Sequence, residues 1–122
     1  MMKQQNLWVS GDAGYDTYRI PALAVTAEGT LLAFCEGRVA NSSDAGDINL
    51  LVKRSTDDGE TWSDQQVIWN DNGNTCGNPA PVVDGESGVI SLLTTWNRGD
   101  DEEPSIIAQT SKDTRRVYVT RS

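Results

Sequence analysis

Two arginines stand at the same end of two adjacent apolar segments, where each could bind an anion. Arg19 precedes the run that begins at Ile20, and Arg38 ends the run that begins at Leu31. A guanidinium holds a carboxylate through two parallel hydrogen bonds and stays charged at any working pH. The residues alone leave two interpretations of Arg19 open: a carboxylate-binding group, or a surface arginine that pairs with a structural aspartate.

The loop after Arg38 contains two candidate acids, Asp44 and Asp47. A carboxylic acid can protonate the leaving group in a hydrolysis, and a loop that closes on a substrate can provide it. Asp47 could instead cap the loop before the next strand. The residues alone therefore leave open whether an anion site or only a surface ion pair lies beside this acidic loop.

The charge balance limits the partners. The net charge is −8, from 10 Lys+Arg against 18 Asp+Glu, which argues against nucleic acid and anionic membranes. An anionic ligand then needs a local cationic site, because the overall field repels it. The chain has no histidine, two cysteines and no CxxC pattern, so neither a His-based triad nor a zinc site is expected, and no metal or cofactor is predicted.

The localisation is left open by the sequence. No apolar run approaches the roughly 20 residues of a membrane-spanning helix. The N-terminal stretch MMKQQNLWVSGDAG has no apolar segment of signal-peptide type. A secreted or periplasmic location is favoured if a signal peptide was removed, and a cytoplasmic one otherwise. Cys35 lies in an apolar run and is expected to be buried.

Short β-rich runs follow one another between Gly, Asn and Asp turns, and no amphipathic helix is evident. This pattern is typical of an all-β sandwich, barrel or propeller. The predicted strands cover residues 19–26, 30–35, 49–54, 66–69, 80–83, 88–95, 105–109 and 117–120.

An internal repeat favours the propeller. IPALAVTAEGTLLAF at 20–34 aligns with NPAPVVDGESGVISLL at 78–93, so that Pro21 falls on Pro79 and Gly29 on Gly88. NLLVKRS at 49–55 resembles RVYVTRS at 116–122. The same order of three strands occurs twice, with a period that indicates a propeller or solenoid unit.

The two units are not of equal length. The first continues past Ser55 with STDDGETW, whereas the second stops where its own copy would begin. One full unit and most of another cannot close a ring of about four to eight blades. We therefore expect residues 1–122 to be the N-terminal part of a longer propeller domain.

STDDGETW, residues 55–62, fits the pattern S-x-D-x-G-x-T-W and is called the Asp-box below. Ser55 and Asp57 can accept hydrogen bonds from amides inside a tight turn. Gly59 can supply a positive φ, Thr61 completes the pattern, and Trp62 can pack back between strands. The Asp-box is predicted to fold a hairpin and to do no chemistry.

YRIPAL at 18–23, EGR at 36–38 and the Asp-box together resemble the N-terminal region of bacterial exo-α-sialidases (neuraminidases). The resemblance runs from about Tyr15 to Ser122. It implies a six-bladed β-propeller, of which this chain supplies about the first one to two blades. It also implies a retaining glycoside hydrolase that releases terminal sialic acids. Sialylated glycans and the remaining blades are then the expected partners.

The resemblance assigns roles to the residues considered first. Arg19 matches the first of three arginines that clamp the sialic acid carboxylate. Arg38 matches an arginine near C4 of the sugar, and Glu36 is expected to orient an arginine; a structural ion pair is the alternative for both. Asp44, 25 residues after Arg19, matches the acid/base aspartate. Asp47 is the second choice.

The second unit adds weaker candidates. Asn78 stands where the family often has Asp or Asn facing the C4 and N-acetyl side, and the alternative is a turn residue before Pro79. Trp96 could line the N-acetyl pocket or belong to the blade core. The acidic run 100–103 is expected to be a solvated loop.

Part of the family's machinery has no counterpart here. The nucleophile is a tyrosine activated by a glutamate, and neither that pair nor the other two clamp arginines is matched; Arg115, Arg116 and Arg121 do not fit the clamp. The chain alone is expected to be inactive and poorly soluble. Two alternatives stay open: a non-catalytic Asp-box propeller that binds glycans or proteins, and a trans-sialidase.

Overall fold

A computed structural model describes residues 3–122, in which seven strands and one short helix follow a 3-10 turn at Asp12–Gly14. Helix α1 (Glu103–Ile107) lies between the last two strands. The strands in chain order are β1 (Thr17–Val25), β2 (Leu31–Arg38), β3 (Ile48–Ser55), β4 (Gln66–Trp69), β5 (Thr75–Val83), β6 (Ile90–Asn97) and β7 (Arg116–Arg121).

The strands form two consecutive antiparallel units. In the first unit β1, β2, β3 and β4 pair in chain order, and in the second β5, β6 and β7 do so. Ile48, at the start of β3, pairs in parallel with Thr75, at the start of β5, so the units meet at one end. The repeat seen in the sequence therefore corresponds to two sheet units with the same strand order.

The prediction of a strand over residues 105–109 is wrong, because helix α1 covers Glu103–Ile107. Pro104 lies in the first turn, where its missing N–H breaks no helical hydrogen bond and its fixed φ suits the helix. The acidic Glu103 favours the same end of the helix. Strand β5 also begins at Thr75 and not at Ala80, because a bulge interrupts the alternating pattern that the prediction used.

Both units carry a β-bulge at the same place in their first strand. In β1 it lies between Arg19 and Ala22, with Ile20 at φ +57°, and in β5 the matching bulge contains Asn78 at φ +53°. Asparagine tolerates this left-handed conformation, whereas a β-branched residue is an outlier there. Because a bulge bends the strand, it changes the direction in which Arg19 leaves the sheet.

Three groups of buried side chains make up the core. One lies between the units, where Leu32 and Phe34 pack with Leu92, and burial of each such side chain contributes about 1.5–3 kcal/mol. The others are Tyr15, Cys35 and Leu51, and Leu50, Cys76 and Trp96. The expected burial of Cys35 is confirmed. The core thus fixes the two units against each other.

Apolar side chains are also exposed on the sheet faces, among them Leu23, Val82 and Val117. Every residue of β7 is exposed. Open apolar faces and strand edges favour association with other chains or segments. Within residues 3–122, no helix has the length and apolar character that crossing a membrane requires.

Candidate active site

A polar cleft of 370 Å³ lies at the end where the two units meet. It is lined by Arg19, Ile20, Glu36, Arg38, Asp44, Thr75, Asn78, Asn97, Glu103 and Arg115. Four predicted site residues, two arginines, an aspartate and an asparagine, therefore meet in one place. A larger groove of 570 Å³ also contains Arg19, and its lining is mostly apolar.

Arg19 reaches the cleft from the bulge in β1. Its guanidinium is 51% exposed, and Nη1 lies 3.5 Å from Oδ1 of Asp44, whose side chain is 68% exposed. An ion pair this open to solvent is weak, of the order of 1 kcal/mol or less. Arg19 can therefore exchange this contact for a bound carboxylate at small cost.

Arg38 is in the opposite situation, because its side chain is only 3% exposed. Its Nε and Nη2 donate to Oε1 of Glu36 at 3.1 and 2.8 Å. Its Nη1 donates to the carbonyl of Ser42 at 2.7 Å and to Oδ1 of Asp44 at 2.8 Å. The structure thus contains the buried ion pair that was the alternative for Arg38 and Glu36. It also ties Arg38 to the loop that carries Asp44.

The loop between β2 and β3 holds Asp44 at the mouth of the cleft. The amide of Val39 donates to the carbonyl of Asp47 and closes the base of the loop. The hydroxyl of Thr75 donates to the carbonyl of Gly46 at 2.8 Å, which joins the loop to the second unit. Asp47 does not line the cleft, and its Oδ1 is buried without a hydrogen-bond partner among residues 3–122. Of the two aspartates of this loop, Asp44 is therefore the one that lines the cleft.

Asn78 brings the second unit to the cleft. Its backbone N–H donates to Oε2 of Glu36 at 2.9 Å, and its side-chain amide donates to the hydroxyl of Thr95 at 2.7 Å. The side chain is exposed, so it can also contact a ligand. Asn78 therefore lies in a bulge within β5, where its backbone also bonds the first unit.

Glu103 and Arg115 are the charged cleft residues that sequence reasoning missed. Nη2 of Arg115 donates to Oε2 of Glu103 at 2.6 Å, and its Nε donates to Oδ1 of Asn97 at 3.3 Å. The hydrogen bond from Arg115 lowers the pKa of Glu103. The acidic run is thus only partly a solvated loop, since Asp101 is buried and Glu103 lines the cleft. Pro104, as a helix-start signal, is what could have revealed the element that carries Glu103.

The formal charges of the cleft cancel, because its three arginines are matched by three carboxylates. Arg38 is neutralised by buried Glu36, and Arg115 by Glu103. Arg19 has only its long, exposed contact with Asp44. Of the three arginines that line the cleft, Arg19 is therefore the one best able to bind an incoming anion.

Trp96 belongs to the core and not to the cleft. It packs with Leu50 and Cys76, and its Nε1 donates to Oδ2 of Asp71 at 2.7 Å. The guanidinium of Arg116 covers its ring at 5.0 Å from the centroid. Of the two roles left open for Trp96, the blade core is the one that these contacts support.

The Asp-box joins β3 to β4 through side-chain hydrogen bonds. The hydroxyl of Ser55 accepts from the amide of Gly59 at 2.8 Å, and Oδ1 of Asp57 accepts from the amide of Thr61 at 2.9 Å. Trp62 donates to the carbonyl of Gly59 at 3.2 Å. The hydrogen bonds from Thr61, and then from Ser55, lower the pKa of Asp57 to about 2. None of these residues lines the cleft.

The two free cysteines are buried. Burial raises the pKa of both free thiols, Cys35 and Cys76, to about 12. Within residues 3–122, no group of three or more His, Cys, Asp or Glu side chains could hold a metal ion.

The chain is similar in sequence to one protein family and to several sialidases, and in structure to a solved sialidase. Residues 29–122 match the family of BNR repeat-like domains. An exo-alpha-sialidase of Arthroderma benhamiae is 35% identical, over 93% of this chain and 32% of that protein. A sialidase of Micromonospora viridifaciens is 42% identical, over 71% of this chain and 14% of that protein. The solved structure of the Hadza microbial sialidase Hz136 superposes with a TM-score of 0.78 at 28% identity, over 93% of this chain and 25% of the other. The chain thus spans a third or less of the length of each.

Proposed function

The chain belongs to the family of BNR repeat-like domains, and from that premise we propose that it forms part of an exo-α-sialidase, a glycoside hydrolase. The substrate class is sialylated glycans on glycoproteins, glycolipids and oligosaccharides. One observation carries the proposal: an exposed arginine, Arg19, and an exposed carboxyl, Asp44, meet at 3.5 Å in one cleft. The sialidases to which the chain is similar support the choice of substrate.

Arg19 would bind the substrate carboxylate. Its exposure allows the guanidinium to turn from Asp44 to the ligand, and a charge-assisted, two-point contact fixes the orientation of the sugar. Arg38 is held by its hydrogen bonds to Glu36 and would form part of the cleft wall. Asn78, on the facing unit, would contact the C4 side of the sugar.

Asp44 would act as the general acid. Its Oδ1 already accepts from Arg38 and lies near Arg19, so Oδ2 is the atom free to carry the proton. The bond between the anomeric carbon and the glycosidic oxygen breaks, its electron pair stays on that oxygen, and the proton of Asp44 is transferred to it. The leaving glycan departs as an alcohol.

In a retaining reaction, the anomeric carbon would be attacked by a tyrosine that a glutamate activates, and water would later release the sugar with Asp44 acting as base. A neutral nucleophile avoids repulsion from the substrate carboxylate. We place these groups, and two further clamp arginines, in other blades of a longer, six-bladed domain. The relatives' greater length leaves room for those blades.

The test uses the longer protein with Asp44→Ala and two sialosides, one with a natural glycan leaving group and one with an activated aryl group. We expect a loss of about 100-fold or more on the natural substrate and a much smaller loss on the aryl sialoside, which needs little protonation. Asp100→Ala is the control, because among residues 3–122 that exposed aspartate forms ion pairs only with Arg98 and Lys112. Equal losses on both substrates would rule out Asp44 as the acid.

The same longer protein also tests the alternative, a non-catalytic Asp-box propeller. If the wild-type protein bound sialylated glycans but released no sialic acid from either substrate, the enzyme proposal would fail and a glycan-binding Asp-box propeller would replace it.

A further inference from the structure

We propose that Glu36 is a positioning residue that sets the distance between the two walls of the cleft, and that Gly77 is a glycine because Glu36 needs its space. The proposal rests on the proposed function for its catalytic consequence. Its structural part stands on the contacts of one buried carboxylate.

Glu36 is shared between the two units. Its side chain is 4% exposed, and one oxygen, Oε1, accepts from Nε and Nη2 of Arg38 on the same strand. The other oxygen, Oε2, accepts from the backbone N–H of Asn78, which lies 42 residues away in the second unit. A single carboxylate therefore joins the arginine of one wall to the bulge of the other.

Gly77 shows how closely the second unit approaches. A Cβ at this position would lie 2.3 Å from Oε2 of Glu36, closer than non-bonded atoms come, and 3.0 Å from Cδ of the same side chain. The position has no φ in the left-handed region, so backbone conformation does not explain the glycine. The close approach of the Glu36 carboxylate explains why residue 77 carries no side chain.

The internal repeat shows which residue of the first unit corresponds to Gly77. Pro21 and Pro79 are equivalent, and the bulge residues Ile20 and Asn78 precede them, so Gly77 is the counterpart of Arg19. One copy carries Arg19, which lines the cleft, and the other carries no side chain at all. The second unit thus leaves this position free for a carboxylate from the first.

Arg38 transmits the position of Glu36 to the acid. Its Nη1 holds the carbonyl of Ser42 and Oδ1 of Asp44, while its other nitrogens are fixed by Glu36. If Glu36 is lost, the arginine loses the partner that fixes its plane, and the loop over residues 39–47 loses its support. We expect the acid and Asn78 to separate or rotate relative to each other.

The experiment compares Glu36→Gln, Gly77→Ala and Gly85→Ala in the longer protein. Glutamine keeps the shape but places an NH2 group where one of the two oxygens must accept, and alanine at 77 pushes the carboxylate away. Gly85→Ala is the matched control, because a Cβ there meets nothing within 4 Å. The readouts are amide hydrogen exchange of residues 39–47, the melting temperature, and kcat and KM on a natural sialoside.

We expect faster exchange of the loop in Glu36→Gln and Gly77→Ala, with kcat/KM lowered by about 10- to 100-fold, and no change in Gly85→Ala. The double variant Glu36→Asp with Gly77→Ala should be less impaired than Gly77→Ala alone, because the shorter side chain withdraws from the new methyl group. Unchanged loop exchange in both folded single variants would overturn the proposal. If the wild-type protein released no sialic acid, the proposed function would fail, and the exchange data would still decide the role of Glu36.

Discussion

Arg38 and Asp44 form an ion pair of 2.8 Å in which the arginine is buried and the aspartate is exposed. Glu36 fixes the guanidinium of buried Arg38, whereas the exposed carboxyl group of Asp44 can contact a ligand. An acid on a surface loop thereby acquires a defined position without being buried itself.

Removal of the Arg38 side chain should destabilise the protein. Arg38→Ala leaves the carboxylate of Glu36 buried without its charged partner, which costs about 3–5 kcal/mol. Urea denaturation monitored by tryptophan fluorescence measures the difference. Arg98→Ala removes an exposed ion pair and should change the unfolding free energy by about 0.5 kcal/mol or less. Similar losses for the two variants would contradict the assignment of Arg38 to a buried pair.

Removal of the Arg19 side chain should weaken substrate binding but leave the stability nearly unchanged, the reverse of what is expected for Arg38→Ala. Arg19→Ala in the longer protein should raise KM for a sialoside by roughly 10- to 100-fold, because a charge-assisted contact with the carboxylate is lost. The melting temperature should change little, since the contact with Asp44 is exposed. Arg121→Ala, an exposed arginine at the end of β7, is the control. An unchanged KM would show that Arg19 does not bind the substrate.

The Asp-box should make stability depend on pH in the acid range. The folded state lowers the pKa of Asp57 from 3.8 to about 2, so the unfolded chain binds its proton first as the pH falls. The stabilisation is present above about pH 4 and is lost as the pH falls through about 2. Melting temperatures of wild type and Asp57→Asn should therefore differ most near neutral pH and converge at low pH.

Asp58→Asn is the control for that series. Asp58 also lies in the turn, at φ +58°, a conformation that asparagine tolerates. If its pH profile matched that of Asp57→Asn, the hydrogen bonds of Asp57 would not be the cause.

Exchange of the two bulge residues should move stability in opposite directions. Ile20→Asn relieves a β-branched residue at φ +57° and should stabilise the protein by about 1 kcal/mol, whereas Asn78→Ile should destabilise it by at least as much. Chemical denaturation gives both values. Because Ile20 lines the cleft, Ile20→Asn should also alter KM in the longer protein. A loss of stability in both variants would mean that packing of Ile20 outweighs backbone strain.

The sequence permitted most of the fold to be predicted. Seven of the eight predicted strands correspond to β1 to β7, because alternating burial leaves a local pattern. The eighth, at residues 105–109, is helical, since four apolar or small residues in a short run do not distinguish a strand from a helix. The predicted site residues Arg19, Arg38, Asp44 and Asn78 all lie in one cleft, and their roles in catalysis stay predictions.

What the sequence by itself determined is local. The Asp-box closes on its own hydrogen bonds between residues 55 and 62, and the alternation of apolar residues predicts the strands but not the bulge that directs Arg19. Only the tertiary structure decided which distant groups meet: Glu36 with Asn78, Arg115 with Glu103, and Trp96 with the core. The physical reason is that side chains far apart in sequence become neighbours only through the pairing and packing of the two units. The burial that commits Arg38 to Glu36 and leaves Arg19 available arises from the same packing.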